Sequence, residues 1–98
     1  MAVLVIFDAR YQPDKVDEAI AILQAALPDT RAFDGCIEVT FQRDLDDPAH
    51  LALVERWESR AKYEAYTAWR AGAGSMGDGF GKTMASRPAV TFFEDTGI

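Results

Sequence analysis

The sequence is poor in the residues that build disulfides and metal centres, with one cysteine, Cys36, and one histidine, His50, in 98 residues. A lone thiol closes no internal disulfide and a single imidazole completes no multi-ligand cage, so a reducing, cytoplasmic setting and no metal site are expected. Basic residues are scarce as well. Ten Lys and Arg against sixteen Asp and Glu leave a net charge of −6, which repels polyphosphate and offers no counterion release to DNA or RNA. Nucleic acid is therefore not an expected partner. Long hydrophobic runs are also missing: Val3 to Phe7 is shorter than a signal-peptide core, lacks a basic flank and meets Asp8 and Arg10 at once. It reads as a strand, with no membrane partner implied.

What is present is an apolar fraction of 49%, with 27% charged and 11% aromatic residues, enough to close one small core. A single domain over residues 1–98 is the expectation. Ala2 to Ala9 is almost wholly apolar, the pattern of a strand covered on both faces. Pro13 suits a first helical turn, Asp14, Asp17 and Glu18 favour its positive end, and Val16, Ala19, Ile20, Leu23, Ala26 and Leu27 recur at helical spacing. Pro28 predicts a kink or restart before Thr30 to Phe33, and Asp34-Gly35 ends the helix.

Cys36 to Arg43 alternates, and Leu51 to Glu58 reads as its hairpin partner across the acidic turn Asp44 to Ala49. Placing Phe41 opposite Leu53 sets Val39 against Glu55, Ile37 against Trp57 and Glu38 against Arg56. Glu55 is then the one carboxylate on a face otherwise made of Ile37, Val39, Phe41, Leu51, Leu53 and Trp57. Ser59 caps a second helix running to about Ala71, with an alanine stripe (Ala61, Ala65, Ala68) beside an aromatic one (Tyr63, Tyr66, Trp69), and Gly72 stops it. Ser75 to Ser86 predicts a short, loosely held helix: Met76, Phe80 and Met84 recur every four residues, although each of Gly77, Gly79 and Gly81 costs about 1 kcal/mol relative to alanine. Ala89 to Glu94 is the last strand, with Phe92 and Phe93 on opposite faces.

The order βαββαβ predicts an α+β, ferredoxin-like fold with a four-stranded antiparallel sheet. Two helices cover one face of that sheet, yet Leu4, Ile6 and Phe93 make the other face apolar too. A second copy of the chain, in a homodimer, is the simplest cover.

The run Thr30-Arg31-Ala32-Phe33-Asp34-Gly35-Cys36, the acidic hairpin turn, and Glu55-Arg56-Trp57-Glu58-Ser59 before an aromatic helix together resemble the antibiotic biosynthesis monooxygenase (ABM) family. The resemblance spans nearly the whole chain and implies a dimeric α+β barrel with a pocket between sheet and helices. It further implies a small oxidoreductase, often a cofactor-free monooxygenase of quinols or polyketide phenols. Haem-degrading enzymes and isomerases of small metabolites are similar in sequence. Many relatives carry a pocket-facing histidine on the second helix, and the matching position here is Tyr66. His50 sits at the hairpin instead, so haem binding is not expected.

Glu55 on an apolar face has two readings: an ion pair with Arg43, Arg10 or Arg31, or a raised pKa suited to moving protons. Glu55, Tyr66 and Trp57 are the candidate catalytic residues, with the Tyr66 hydroxyl bonding a substrate oxygen. Phe7, Phe41, Trp69, Met76 and Phe80 are the candidate substrate-binding walls; the plainer reading of any one of these aromatics is a core side chain. Gly72 to Gly81 suggests a mobile lid over the pocket mouth.

Two glycine patterns fail on context. Gly72-x-Gly74-x-x-Gly77 follows a helix, not a strand, and Gly81-Lys82-Thr83 lacks the upstream glycine of a phosphate loop, so no nucleotide is expected. Cys36 reads as a small core residue. The leading expectation is a homodimeric, cofactor-free monooxygenase of a small hydrophobic or aromatic substrate. Alternatives are an isomerase or lyase on a small carbonyl compound, and a non-catalytic ligand-binding domain.

Overall fold

The structure, a computed structural model, describes residues 2–98. Strand β1 (Val3–Arg10) leads through a 3-10 turn at Pro13–Lys15 into α1 (Val16–Ala32). The hairpin β2 (Cys36–Arg43) and β3 (His50–Trp57) follows, then α2 (Arg60–Arg70), the single turn α3 (Gly79–Lys82) and β4 (Ala89–Glu94). The sheet order is β2-β3-β1-β4, and all three pairings are antiparallel. This is the ferredoxin-like α+β arrangement, because each helical crossover returns the chain past a neighbouring strand.

Register sorts the side chains into two faces. Val5 pairs with Glu55, Phe7 with Leu53 and Ala9 with Leu51, which places these on the helix-covered side. Ala19, Leu23 and Leu27 of α1 pack there against Val39, Leu51 and Leu53. Val5, Trp57 and Tyr63 form a second buried cluster under α2. The other face carries Leu4 against Arg56, Ile6 against Val54, and Phe93 beside Leu4. No helix covers it, and Phe93 is 49% exposed.

Several local expectations are corrected. Helix α1 runs through Pro28 without a restart. The donor that proline lacks would have bonded the carbonyl of Gln24, in a turn where both residues are exposed to solvent. Ile37 does not face Trp57: a β-bulge between Cys36 and Glu38 pairs Cys36 with Trp57 and turns Ile37 out to 53% exposure. The remaining pairs, Val39 with Glu55, Phe41 with Leu53 and Glu38 with Arg56, form as expected. The alanine stripe of α2 faces solvent, because the larger aromatic stripe takes the sheet side. Of Ser75 to Ser86 only Gly79–Lys82 is helical; three glycines leave too little helix propensity for more.

The end of that segment is nonetheless anchored. The Gln12 amide donates to the Thr83 carbonyl at 2.8 Å, the Ala85 amide donates to the Arg10 carbonyl at 2.8 Å, and Tyr11 bridges to Met84. Ser59 caps α2 by accepting from the Lys62 amide at 3.2 Å. Glycine is obligatory at position 35, where φ is +94° and a Cβ would stand 2.5 Å from Lys62 Cβ. The Gly35 carbonyl accepts from the Glu58 amide at 2.8 Å, so this turn ties the end of α1 to the β3–α2 junction.

Candidate active site

Glu55 lies in the middle of the sheet, between Val5 of β1 and Val39 of β2, and is 3% exposed. No cation reaches it among the described residues. Arg10 pairs with Asp47 at 2.8 Å, Arg31 donates to the Val39 carbonyl at 3.1 Å, and Arg43 makes no ion pair among the described residues. The ion-pair reading of Glu55 is thereby corrected: the candidate arginines sit at the exposed rim of the sheet or helix, and Glu55 at its centre. Among the described residues its carboxyl has one hydrogen-bond partner, Trp57, whose indole Nε1–H donates to Oε1 at 3.1 Å. Burial raises the carboxyl pKa to about 7, against the opposing pull of the indole hydrogen bond.

A cavity of about 200 Å³ opens over this carboxyl, between sheet and helices. Phe7, Leu53 and Glu55 form the sheet wall. Leu23, Ala26, Leu27 and Thr30 contribute from α1, and Tyr63, Tyr66, Thr67 and Arg70 from α2. Met76, Phe80 and Met84 close the remaining side. The lining is mainly apolar with a few convergent polar groups, the usual make-up of a small-molecule site. An apolar space of about 150 Å³ accepts benzene, so this one fits a single substituted ring.

The polar groups gather at one corner. Arg70 Nε donates to the Tyr66 hydroxyl at 2.9 Å, and one Nη2 reaches both the Ala26 carbonyl at 2.9 Å and Thr30 Oγ1 at 3.0 Å. Nη1 donates to the Gly74 carbonyl at 3.1 Å. Thr30 Oγ1 and the Tyr66 hydroxyl lie 2.7 Å apart, one donating to the other. Thr30 is 2% exposed. Helix α2 can supply this corner because Tyr63, Tyr66, Thr67 and Arg70 recur at three- and four-residue spacing on its inner side.

Of the residues singled out from the sequence, Glu55, Tyr66, Phe7, Met76 and Phe80 meet at the cavity. Trp57 stands behind Glu55, fully buried, and touches the carboxyl without lining the space. Trp69 and Phe41 do not reach it. Trp69 packs on Phe33, with ring centroids 5.3 Å apart, and leaves no room for a Cβ at Gly74; it lines a shallower groove outside. Phe41, on the outer strand, packs against the core beside the cavity.

Arg70, Thr30 and Thr67 were not anticipated. Arg70 follows Tyr66 by four residues and Thr30 continues the Leu23-Ala26-Leu27 stripe, so a polar residue on an apolar helix face was the available signal.

Other chemistry-bearing groups are occupied elsewhere. His50 bonds Asp44 through Nδ1 and Asp8 through Nε2, each at 2.8 Å, and these carboxylates push its pKa up. Cys36 is half-buried; burial first, and then the Glu55 charge, push its thiol up, which suits an inert side chain. No group of three or more His, Cys, Asp or Glu converges on a metal position among the described residues. No helix is long and apolar enough to cross a membrane among them.

Comparison with known proteins agrees with this fold. The sequence profile of the antibiotic biosynthesis monooxygenase family matches residues 2–72. A conserved protein from Methanosarcina mazei Go1 superposes with a TM-score of 0.86 at 16% identity, over 98% of this chain and 94% of its own. A candidate antibiotic biosynthesis monooxygenase from Bordetella bronchiseptica gives 0.83 at 21% identity, over 97% of each chain. The protein Rv0793 from Mycobacterium tuberculosis gives 0.75 at 28% identity, over 97% of this chain and 95% of its own. No curated protein sequence matches.

Proposed function

The chain belongs to the antibiotic biosynthesis monooxygenase family, and from that membership we propose that it is a homodimeric oxygenase of a small phenol or quinol that works without a bound cofactor. The observation that carries this reading is Glu55, a buried carboxylate without a cation, on the wall of an apolar cavity sized for one ring. With its pKa near 7, Glu55 is suited to take a hydroxyl proton and to return it.

Deprotonation makes the ring electron-rich. The phenolate passes one electron to dioxygen, the two radicals combine at a ring carbon, and loss of water from the hydroperoxide leaves a quinone. Overall, phenol and dioxygen give quinone and water, so no outside reductant is consumed. The protein's part is to hold the ring, exclude water and carry the proton. Tyr66 bonds the substrate oxygen, Trp57 holds the Glu55 carboxyl, and Phe7, Met76 and Phe80 clamp the ring. The segment at Ser75–Asp78, which lacks the anchoring of Thr83 to Ala85, serves as the entrance.

The uncovered sheet face, with Leu4, Ile6, Val54 and Phe93, supports the homodimer. Each copy is a single domain over residues 1–98.

Oxygen-electrode measurements with a panel of one-ring phenols and quinols test the activity. One dioxygen consumed per quinone formed is the expected result, with E55Q slower by about 100-fold or more. Turnover of a carbonyl compound with no oxygen uptake would instead assign a proton-transferring isomerase, and binding without any turnover a ligand-binding domain.

A further inference from the structure

The cavity is lined by one cation, Arg70, that no carboxylate pairs with among the described residues. Among the described residues, three cationic side chains are sheltered from full exposure: Lys15, Lys62 and Arg70. Lys15 pairs with Glu18 and Lys62 with Asp34, whereas Arg70 has no carboxylate within 4 Å. Its hydrogen-bond acceptors are all neutral oxygens, the Ala26 and Gly74 carbonyls, Thr30 and Tyr66, and its guanidinium carbon lies 4.7 Å from the centre of the Trp69 ring and 5.3 Å from that of Tyr66.

A guanidinium carries five N–H groups, and four are used in those bonds. Tyr66 and Thr30 hold one hydroxyl hydrogen each, and the bond between them uses one of the two. One N–H, on Nη1, and one O–H, on Tyr66 or Thr30, are left over, and all three residues line the cavity. The set is a positive charge with two spare donors and no spare proton acceptor of comparable strength.

We propose that Arg70, with Tyr66 and Thr30, is a receptor for one negatively charged oxygen and makes the cavity select ionisable hydroxy compounds, phenols or enols, over neutral rings of the same shape. This rests on the proposed function in so far as it names the substrate class of that site. Glu55, on the sheet wall, is not bonded to Arg70, so the acid–base group and the anion receptor remain separate. Transfer is then a simple exchange: the ligand O–H bond breaks, the proton joins the Glu55 carboxylate, and the oxygen left negative faces Arg70. The apolar walls strengthen that attraction by lowering the local dielectric.

The test uses two probes of one shape, 4-nitrophenol and 4-nitroanisole, titrated anaerobically against the whole protein and followed by absorbance. In wild type, bound nitrophenol should show the phenolate spectrum at pH values where the free compound is still partly protonated, and should bind at least about tenfold tighter than nitroanisole, a difference of about 1.4 kcal/mol. R70M should abolish the preference and leave nitroanisole binding intact, which also shows that the cavity survives. E55Q should retain the preference at pH values where free nitrophenol is already ionised, since the anion then needs no proton acceptor in the cavity. Equal affinity for both probes, equal loss of both in R70M, or binding of neither overturns the proposal. Because no turnover is involved, anion preference without oxygen uptake would sink the oxygenase reading alone, and oxygen uptake without anion preference would sink this one alone.

Discussion

Trp57 donates its indole N–H to the carboxyl of Glu55 across 3.1 Å, from two residues further along the same face of β3. Period-two geometry is what permits this, since residues i and i+2 of a strand stand side by side. The hydrogen bond favours the carboxylate and burial favours the acid; burial wins, which leaves the group near pH 7. A buried carboxyl whose pKa is raised to about 7 is thus made from one strand and its two neighbours.

The raised pKa has a stability consequence. Folded Glu55 holds its proton up to about pH 7, while the unfolded chain releases it near the ordinary carboxyl value of 4.5, so the native state binds more protons between these limits. Stability contributed by the protonated form is full below about pH 4.5 and falls as pH rises toward 7. E55Q should match wild type in urea denaturation at low pH and exceed it above pH 7, by up to about 3 kcal/mol. A constant difference across pH would contradict the burial-driven shift.

W57F removes the indole donor and leaves burial unopposed. The Glu55 titration, followed by carboxyl NMR shifts, should move further upward. Stability should drop by about 1–3 kcal/mol from the vacated volume around a fully buried ring. A downward shift would mean that water enters and resolvates the carboxyl.

Gly74 has no room for a methyl group, because a Cβ would come within 2.3 Å of the Trp69 ring. Its carbonyl also accepts from Arg70. G74A should therefore lower the melting temperature by several degrees, the equivalent of about 1–3 kcal/mol of overpacking. An unchanged melting temperature would show that Trp69 swings aside freely.

Val54 sits between Ile6 and Thr40 at the centre of the uncovered sheet face. If the proposed homodimer forms through this face, V54D should convert it to a monomer in sedimentation, since a carboxylate would be desolvated twice per assembly at several kcal/mol each. Retention of the dimer mass would move the interface elsewhere.

Hydrogen exchange should divide the glycine-rich segment. The Ser75–Asp78 amides are expected to exchange quickly, and the Thr83 and Ala85 amides slowly, because the latter bond the Phe80 and Arg10 carbonyls. Uniform protection matching α1 would rule out an entrance there.

The sequence made Glu55 visible because a strand's period places every second residue on one face, and one acid among apolar neighbours stands out. The bulge at Ile37 escaped the same rule, since an inserted residue changes parity without changing composition. Tyr66 was legible as a tyrosine on an inward stripe that must satisfy its hydroxyl. Arg70 was not: at a helix end beside glycine it reads as a solvated terminal charge. Only the approach of α1, which brings the Ala26 carbonyl and Thr30 within 3.0 Å, makes it part of a cavity wall. Trp69 and Phe41 were misplaced for a related reason: an aromatic stripe gives a face, and neighbouring elements decide which members meet empty space.

The bulge at Cys36–Glu38 has one more effect. Strand β2 is an outer strand, so its free edge presents unpaired backbone groups to any passing chain. The extra residue breaks the even spacing of those groups and sharpens the local twist. A flat foreign strand finds no regular ladder to extend at that end, and the apolar side chain of Ile37, already turned aside, cannot guide one into register. The irregularity that spoiled the simple alternation is thus a guard against runaway edge-to-edge association.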